Sequence, residues 1–399
     1  MKFKIIPVLA LLLSACSAPE IPQQVKNDLD SIAAEWVPDR REALCDYEVH
    51  LLNRKEAMIK GETTVPEAKK ELIEYLEASG YQVTDSIRIL PDAGISKKWG
   101  IVCVSVCSLM NIPSFSGEQV SQAVMGTPVR ILKQSGGWIF LQTPDHYLGW
   151  VTDAGVSEKT DEDMTAWKGA ARIIYPGREG EILNNQDAPG IISDITAGAI
   201  LEMTGMDSHY YQVKTPDGRQ GRITRNVPVD FDAWASVTNP EPVQMIQFAR
   251  SMTGFPYMWG GTSTKAVDCS GFVKTIYFMS GTILARDASQ QFLYGKPVDV
   301  SESIDLLEPG DLLFFGHLRD DGSRRITHVG MYIGDTEVIH SSGMVRINSL
   351  DSRRPNFSSY LKETLMGARR LTGVSGQPGI QPVNQHPWYF NQQQVTSNK

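Results

Sequence analysis

Three spacings of apolar residues recur along the chain, and each predicts a different element. Helical spacing appears at Val25, Leu29, Ile32 and Ala33, so residues 24–36 read as an amphipathic helix. Residues 63–76 read the same way, with Thr64 as N-cap, Pro66 in the first turn and Gly80 just beyond the end. Residues 243–252 (Met245, Ile246, Phe248, Ala249) form a third such stretch. The clearest is Phe272, Val273, Ile276 and Tyr277, with Gly281 at the C-terminal cap position. That helix begins at Cys269 or just after it.

Strand-like runs occupy much of the rest. Residues 45–52 have strand character, and 99–107 form an apolar strand with Cys103 and Cys107 on one face. From 101 to 230 the apolar positions alternate, with turn residues every ten positions or so, which argues for small β-barrels. An ungapped repeat lies inside this region. Trp138 to Thr152 reads WIFLQTPDHYLGWVT and Tyr210 to Thr224 reads YYQVKTPDGRQGRIT, 72 positions apart, and Gly126 and Gly198 keep that offset. Two copies at this period indicate tandem duplication, not a solenoid. Residues 158–167 are acidic and polar and read as a linker between the copies. Farther on, Ile326 to Ile333 and Glu337 to Ser341 read as a β-hairpin about the turn Gly334-Asp335-Thr336. Pro309-Gly310-Asp311 leads into a strand at 312–315, and Asp320-Asp321-Gly322 is a turn before the His328 strand.

Composition narrows the class. At 399 residues, about two to four domains are expected. The chain is 41% hydrophobic and 21% charged with net charge -8, so no basic footprint for nucleic acid exists. Lys2, Lys4 and the apolar stretch from Ile5 to Leu13 form a targeting segment too short to span a bilayer. From Ser17-Ala18-Pro19 onward the chain reads as a polar tether. Residues after about 373 are Pro-, Gln- and Asn-rich around Trp388-Tyr389-Phe390, and read as a tail that orders only where that triplet docks.

Cys269 closes a Gly-rich aromatic loop, Tyr257-Met258-Trp259-Gly260-Gly261, and opens a helix. Backbone N–H groups there favour a thiolate. A buried structural thiol is the competing reading. A nucleophile needs a base, and the base an orienting partner. Two of the seven histidines, His328 and His340, sit on the hairpin. A two-residue loop puts them on opposite faces. A three-residue loop pairs Ile333 with Glu337 and Gly330 with His340, and places both on one face; this odd length is the one expected. Of the five cysteines, Cys45, Cys103 and Cys107 are left over. Cys103 and Cys107 read as buried thiols, and a disulfide from Cys45 stays open. No Cys-x-x-Cys occurs, so no metal site or cofactor is expected.

The ordered set Tyr257-x-Trp259-Gly260-Gly261, Asp268-Cys269-Ser270-Gly271, Arg286-Asp287-Ala288-Ser289-Gln290-Gln291, Pro309 to Phe315, His328 to Gly334 and Ile339-His340-Ser341-Ser342 closely resembles the NlpC-type family of papain-like cell-wall cysteine peptidases. The repeat copies resemble bacterial SH3 domains, and the first resembles the barrel of YkfC-type peptidases. The implied fold is multidomain α+β: two SH3-like β-barrels followed by a papain-like α+β cysteine peptidase domain. Leu13-Ser14-Ala15-Cys16 resembles a lipobox. The expected organisation is a lipoprotein signal peptide at 1–15, a tether and N-terminal α/β segment packing on the first barrel at 16–100, barrels at 101–156 and 170–230, the peptidase domain at 240–372 and the tail at 373–399.

The resemblance implies Cys269 as nucleophile, His328 as base and His340 as orienting residue. It implies Tyr257, Asp268 and Ser270 along the groove, and Arg286, Asp287 and Ser289 on a loop shaping the acyl site. Glu118 and Tyr147 would close one end and hold a free amino terminus, with Asp268 as a further anion. The second copy has Arg219 or Gln220 where Tyr147 falls. The implied activity is hydrolysis of the γ-D-Glu–diamino acid bond of peptidoglycan stem peptides or muropeptides with a free L-Ala. The implied setting is an exported monomer held by lipid at Cys16 on a bacterial membrane, at the periplasmic or cell-envelope face. A wall-binding scaffold or an acyl- or transpeptidase-type transferase on the same core are the alternatives.

Overall fold

A computed structural model describes residues 20–185, 190–236, 241–374 and 376–391. The targeting segment, Cys16 and the end of the tail lie outside them. The chain divides into two compact units, one ending at Leu90 and one from Pro91 onward. In the first, the strands Cys45–Leu51 and Glu56–Thr63 form an antiparallel pair, and Gln82–Ile89 joins parallel to the second. The crossover between the parallel strands is the helix Pro66–Ala78. With the helix Gln23–Trp36 it buries Leu29, Leu72 and Leu76 against Ile59 and Ile87. Val65, not Thr64, is the N-cap residue of Pro66–Ala78, with no side-chain cap; the Thr64 N–H instead donates to the Leu44 carbonyl. Cys45 is a free, buried thiol.

The second unit contains two seven-stranded sheets followed by a six-stranded one. The repeat is visible in its backbone. In the first copy Trp138–Gln142 pairs with Leu148–Thr152, Trp138 opposite Thr152; in the second Tyr210–Lys214 pairs with Gln220–Thr224, Tyr210 opposite Thr224. Each Thr-Pro-Asp turn is closed by its threonine, whose N–H donates at 2.9 Å to the carbonyl of Tyr147 in one copy and of Arg219 in the other. His146 (φ 65°) takes the left-handed position that Gly218 (φ 91°) holds in the second copy.

Two stretches fold differently from the sequence expectation. The apolar run at 99–107 is broken into the strands Trp99–Val102 and Val106–Met110, with Cys103 in the connection. Both cysteines are free and buried. The expected linker at 158–167 is instead the end of the strand Val156–Lys159 and the helix Asp161–Gly169. Thr160 and Asp163 form a reciprocal capping box, and Met164 and Trp167 turn inward.

In the peptidase-like part, the helix Cys269–Met279 lies on a sheet ordered Lys296–Val298, Leu365–Arg370, Leu312–Leu318, Arg324–Gly334, Glu337–Ser342 and Met344–Ser349. Phe272, Val273 and Ile276 pack against Phe314, Val329, Met331, Ile339 and Val345. The helix start lies this close to the Gly-rich loop because residue 271 is glycine: a Cβ there would lie 1.9 Å from the Gly261 carbonyl oxygen.

The C-terminal stretch is docked. Ile380–Pro382 pairs with Thr282–Leu284, and Tyr389 and Phe390 are buried beside Trp167 and Phe231. The Arg172 guanidinium stacks 4.3 Å over Phe231 and 5.4 Å over Phe390, and donates to the Tyr389 carbonyl at 3.0 Å.

Candidate active site

Cys269 is the first residue of its helix, and Asp268 is the N-cap, its Oδ1 accepting from the Gly271 N–H at 2.7 Å. Cys269 is 8% exposed. The backbone N–H groups of Val329 and Ser270 favour its thiolate form. The ladder between the two histidine strands ends at the pair Met331–Ile339. Beyond it, the Val329 N–H acts on the sulfur and the Ser341 hydroxyl donates to the Val267 carbonyl at 3.0 Å. The helix N-terminus therefore occupies the gap where the two strands part.

His328 Nε2 and His340 Nδ1 are 2.9 Å apart, and His340 Nε2 is 3.0 Å from Asn348 Oδ1. The hairpin achieves this by a route other than the expected three-residue loop. Asp335 and Thr336 both have positive φ (52° and 66°) and form a two-residue turn that pairs Gly334 with Glu337. A β-bulge between Tyr332 and Gly334 then shifts the register by one. Parity is restored, so Gly330 lies beside His340 and His328 is diagonal to it. A Cβ on residue 330 would lie 3.0 Å from that of His340, so glycine there leaves room for the ring.

Burial dominates the electrostatics. The Cys269 thiol is pushed up to about 11, chiefly by desolvation and then by Asp268. His328 is lowered to about 3 by desolvation, then by His340 and Arg346. The helix start thus does not by itself make a thiolate here. Burial works in the same sense on both groups, toward the uncharged thiol and the uncharged imidazole.

The remaining residues singled out in the sequence surround this pair. Arg286 is 1% exposed; its Nη2 donates to Asp268 Oδ2 at 2.5 Å, its Nη1 to Ser270 Oγ at 3.0 Å and its Nε to Ser121 Oγ of the first barrel at 3.1 Å. Burial works against its charge, but Asp268 outweighs burial and raises its pKa. Asp268 Oδ2 also accepts from the Gly260 N–H at 3.0 Å. Tyr257, pushed up to about 12 by burial and then by Cys269 and Asp268, stands at the same centre. Asp287 caps the short helix Ala288–Gln291, which carries Ser289.

The first barrel reaches this loop directly. Tyr147 donates from its hydroxyl to Asp287 Oδ2 at 3.1 Å. Glu118 Oε1 accepts from Trp259 Nε1 at 2.7 Å, and Gln119 Nε2 donates to the Trp259 carbonyl at 3.0 Å. Asp145, from the first Thr-Pro-Asp turn, pairs with Lys274 at 3.1 Å, whereas Asp217 of the second stays local, bound to Thr215 and Arg219. Arg219, at the position of Tyr147, donates to the Ile192 and Cys103 carbonyls. Two residues that the sequence reading missed are Asn348 and Gln122. Gln122 accepts from the Thr262 N–H and the Ser263 hydroxyl, both at 3.0 Å.

Residues 254–370 match the NlpC/P60 family, and residues 109–156 match the bacterial dipeptidyl-peptidase Sh3 domain. The chain therefore carries an NlpC/P60 domain, of a cysteine peptidase family, preceded by a bacterial SH3 domain. It is 29% identical over 266 residues to a gamma-D-glutamyl-L-lysine dipeptidyl-peptidase of Bacillus cereus, covering 63% of this chain and 74% of that relative. It is 27% identical to dipeptidyl-peptidase 6 of Lysinibacillus sphaericus, covering 66% of this chain and 96% of that one. The crystal structure of an NlpC/P60 family protein from Bacillus cereus superposes with a TM-score of 0.59 at 23% identity, over 68% of this chain and 99% of the other, a likeness of fold.

Proposed function

We propose that this chain is a cysteine endopeptidase that hydrolyses the γ-D-glutamyl–diamino acid bond of peptidoglycan stem peptides whose amino-terminal L-Ala is free. The observation that carries this reading is the arrival of Glu118 and Tyr147 from the first barrel, Glu118 on Trp259 of the loop before Cys269 and Tyr147 on Asp287. Two carboxylates, Asp268 and Asp287, pair with one guanidinium, Arg286, and Glu118 adds a third negative charge from the barrel side beside Trp259, a balance that favours a cation. An ammonium group fits it. An acylated nitrogen brings no charge to offset the excess of carboxylate over guanidinium. The name of the Bacillus cereus relative supports the bond class.

In this mechanism His328 takes the Cys269 proton on Nδ1, and the thiolate attacks the amide carbonyl. The Cys269 N–H, at the first helical position and without an intrahelical acceptor, faces the developing oxyanion. The C–N bond breaks as His328 returns the proton to the leaving amine, and His340 steadies the imidazolium. Water, deprotonated by His328, then cleaves the thioester and releases a carboxylate. Tyr257, Ser270 and Ser289 line the groove. The setting we assign is a monomer outside the cytoplasm, anchored by lipid at Cys16; Leu13-Ser14-Ala15-Cys16 supports the anchor. No helix among the described residues is long and apolar enough to cross a membrane.

The test is mass spectrometry of L-Ala-γ-D-Glu-diaminopimelate and the corresponding L-Lys peptide incubated with the chain and with Cys269→Ala. The expected products are L-Ala-D-Glu and the free diamino acid, from the unaltered chain only. No products, or equal products from Cys269→Ala, would overturn the assignment; a product carrying an added amine would make it a transferase.

A further inference from the structure

We propose that Asn348 is a positioning residue that holds His328 in the tautomer whose Nδ1 carries the lone pair. The proposal rests on Cys269 and His328 being nucleophile and base. The argument starts from a backbone carbonyl. The Asn356 carbonyl can only accept, so the group 2.9 Å from it is the Asn348 amide nitrogen as donor. The amide oxygen of Asn348 then faces His340 Nε2 at 3.0 Å, and that nitrogen must carry its hydrogen. A neutral imidazole has one N–H, so His340 Nδ1 is an acceptor. His328 Nε2, 2.9 Å away, is therefore the donor. The nitrogen of His328 that remains for the thiol proton is Nδ1, unprotonated.

Each link has one allowed direction, and the direction is set at the Asn356 end. Asn348 belongs to the edge strand Met344–Ser349, two residues beyond Arg346, which lies opposite His340. The charged group bearing on both rings is Arg346 from this strand, which disfavours a proton on either ring, and His340 disfavours one on His328. Asn348 is the neighbour that acts the other way, by accepting from His340. When His328 becomes an imidazolium, its Nε2–H pulls on His340, and the Asn348 oxygen supports the shared charge.

Asn348→Leu and Asn348→Asp test this. Leucine removes the acceptor. The expected result is a kcat lower by about tenfold or more with KM within about twofold, and a matching slowing of Cys269 alkylation by iodoacetamide in the free chain. Alkylation needs no peptide, so it reads the proposal even if the substrate assignment fails. Aspartate keeps the acceptor toward His340 and the volume, adds a charge and gives up the donor to the Asn356 carbonyl. It should retain more activity than leucine and move the acidic limb of kcat/KM upward by about one pH unit, because a carboxylate favours imidazolium. A purely structural role moves neither the limb nor the alkylation rate of a variant with parental melting temperature. Alkylation of Asn348→Leu within twofold of the parent, or identical pH profiles for Asn348→Asp and the parent, would overturn the proposal.

Discussion

The indole N–H of Trp259 donates to the Glu118 carboxylate at 2.7 Å, joining a loop of the first barrel to the glycine-rich stretch before Cys269. Trp259 is 62% exposed, so its ring stands as a wall rather than as core, and Glu118 is oriented by it. Glu118→Gln keeps the bond to the indole and removes the charge. It should lower kcat/KM for free-amine peptides by about tenfold to a hundredfold, the value of one charged hydrogen bond. Trp259→Phe should cost less, because the carboxylate remains but loses its anchor. Steady-state kinetics on the same tripeptide orders the two.

Arg286 is the ion most deeply held in the site. Its donors are taken by Asp268, Ser270 and Ser121, so it fixes the N-cap of the helix that opens at Cys269 and the barrel together. Arg286→Ala leaves Asp268 buried without its partner and should destabilise the chain by about 3–5 kcal/mol. Denaturant unfolding of the variant reads this. Arg286→Lys, which cannot make the forked contact, should recover only part of it.

How far the sequence discloses this site differs from residue to residue. Cys269 could be placed at a helix start because its apolar neighbours recur at 272, 273, 276 and 277. The joint placement of His328 and His340 on one face was reached through an odd loop, whereas the chain uses a two-residue turn and a bulge. A bulge leaves no mark in an alternating pattern, so only the parity was readable. Asn348 carried no signal at all, because it reaches His340 from the neighbouring strand. The helix Asp161–Gly169 did carry one: Thr160 and Asp163 have capping-box spacing, obscured by the acidity of the stretch. Docking of the C-terminal stretch depends on Arg172 and Phe231, far away in sequence, and propensity is blind to such partners.

His386 predicts how stability falls in acid. Its Nε2–H donates to the Pro144 carbonyl at 3.0 Å and its Nδ1 accepts from the Trp388 N–H at 3.2 Å, so both nitrogens are used in the neutral form. Burial lowers its pKa from 6.5 to about 4. The unfolded chain takes the proton first as pH falls. The contribution is complete above about pH 6.5 and is lost progressively toward about pH 4, amounting to about 2 kcal/mol by about pH 5. His328 and His340 are lowered too and act in the same direction. Melting temperatures at about pH 7.5 and about pH 5 should show a smaller drop for His386→Gln, which keeps a donor and an acceptor without titrating.

The docked C-terminal stretch should matter for stability as a core element does. Tyr389 is 1% exposed and stacks near Phe231 with ring centroids 6.1 Å apart. Tyr389→Ala should cost about 3–5 kcal/mol, the usual range for emptying a buried aromatic site. Thermal or denaturant unfolding checks it; a change below about 1 kcal/mol would mean that the stretch is only laid on the surface.

The central claim is that the first barrel makes the cysteine site selective for a free amino terminus. The most direct measurement is kcat/KM for L-Ala-γ-D-Glu-diaminopimelate and for the same peptide acetylated on its L-Ala nitrogen, with the unaltered chain. The account predicts hydrolysis of the free peptide at least about a hundredfold faster, because acetylation deletes the charge that Glu118 and Asp268 hold. Equal rates on the two peptides would contradict it and leave a cysteine peptidase whose barrel has no part in choosing the substrate.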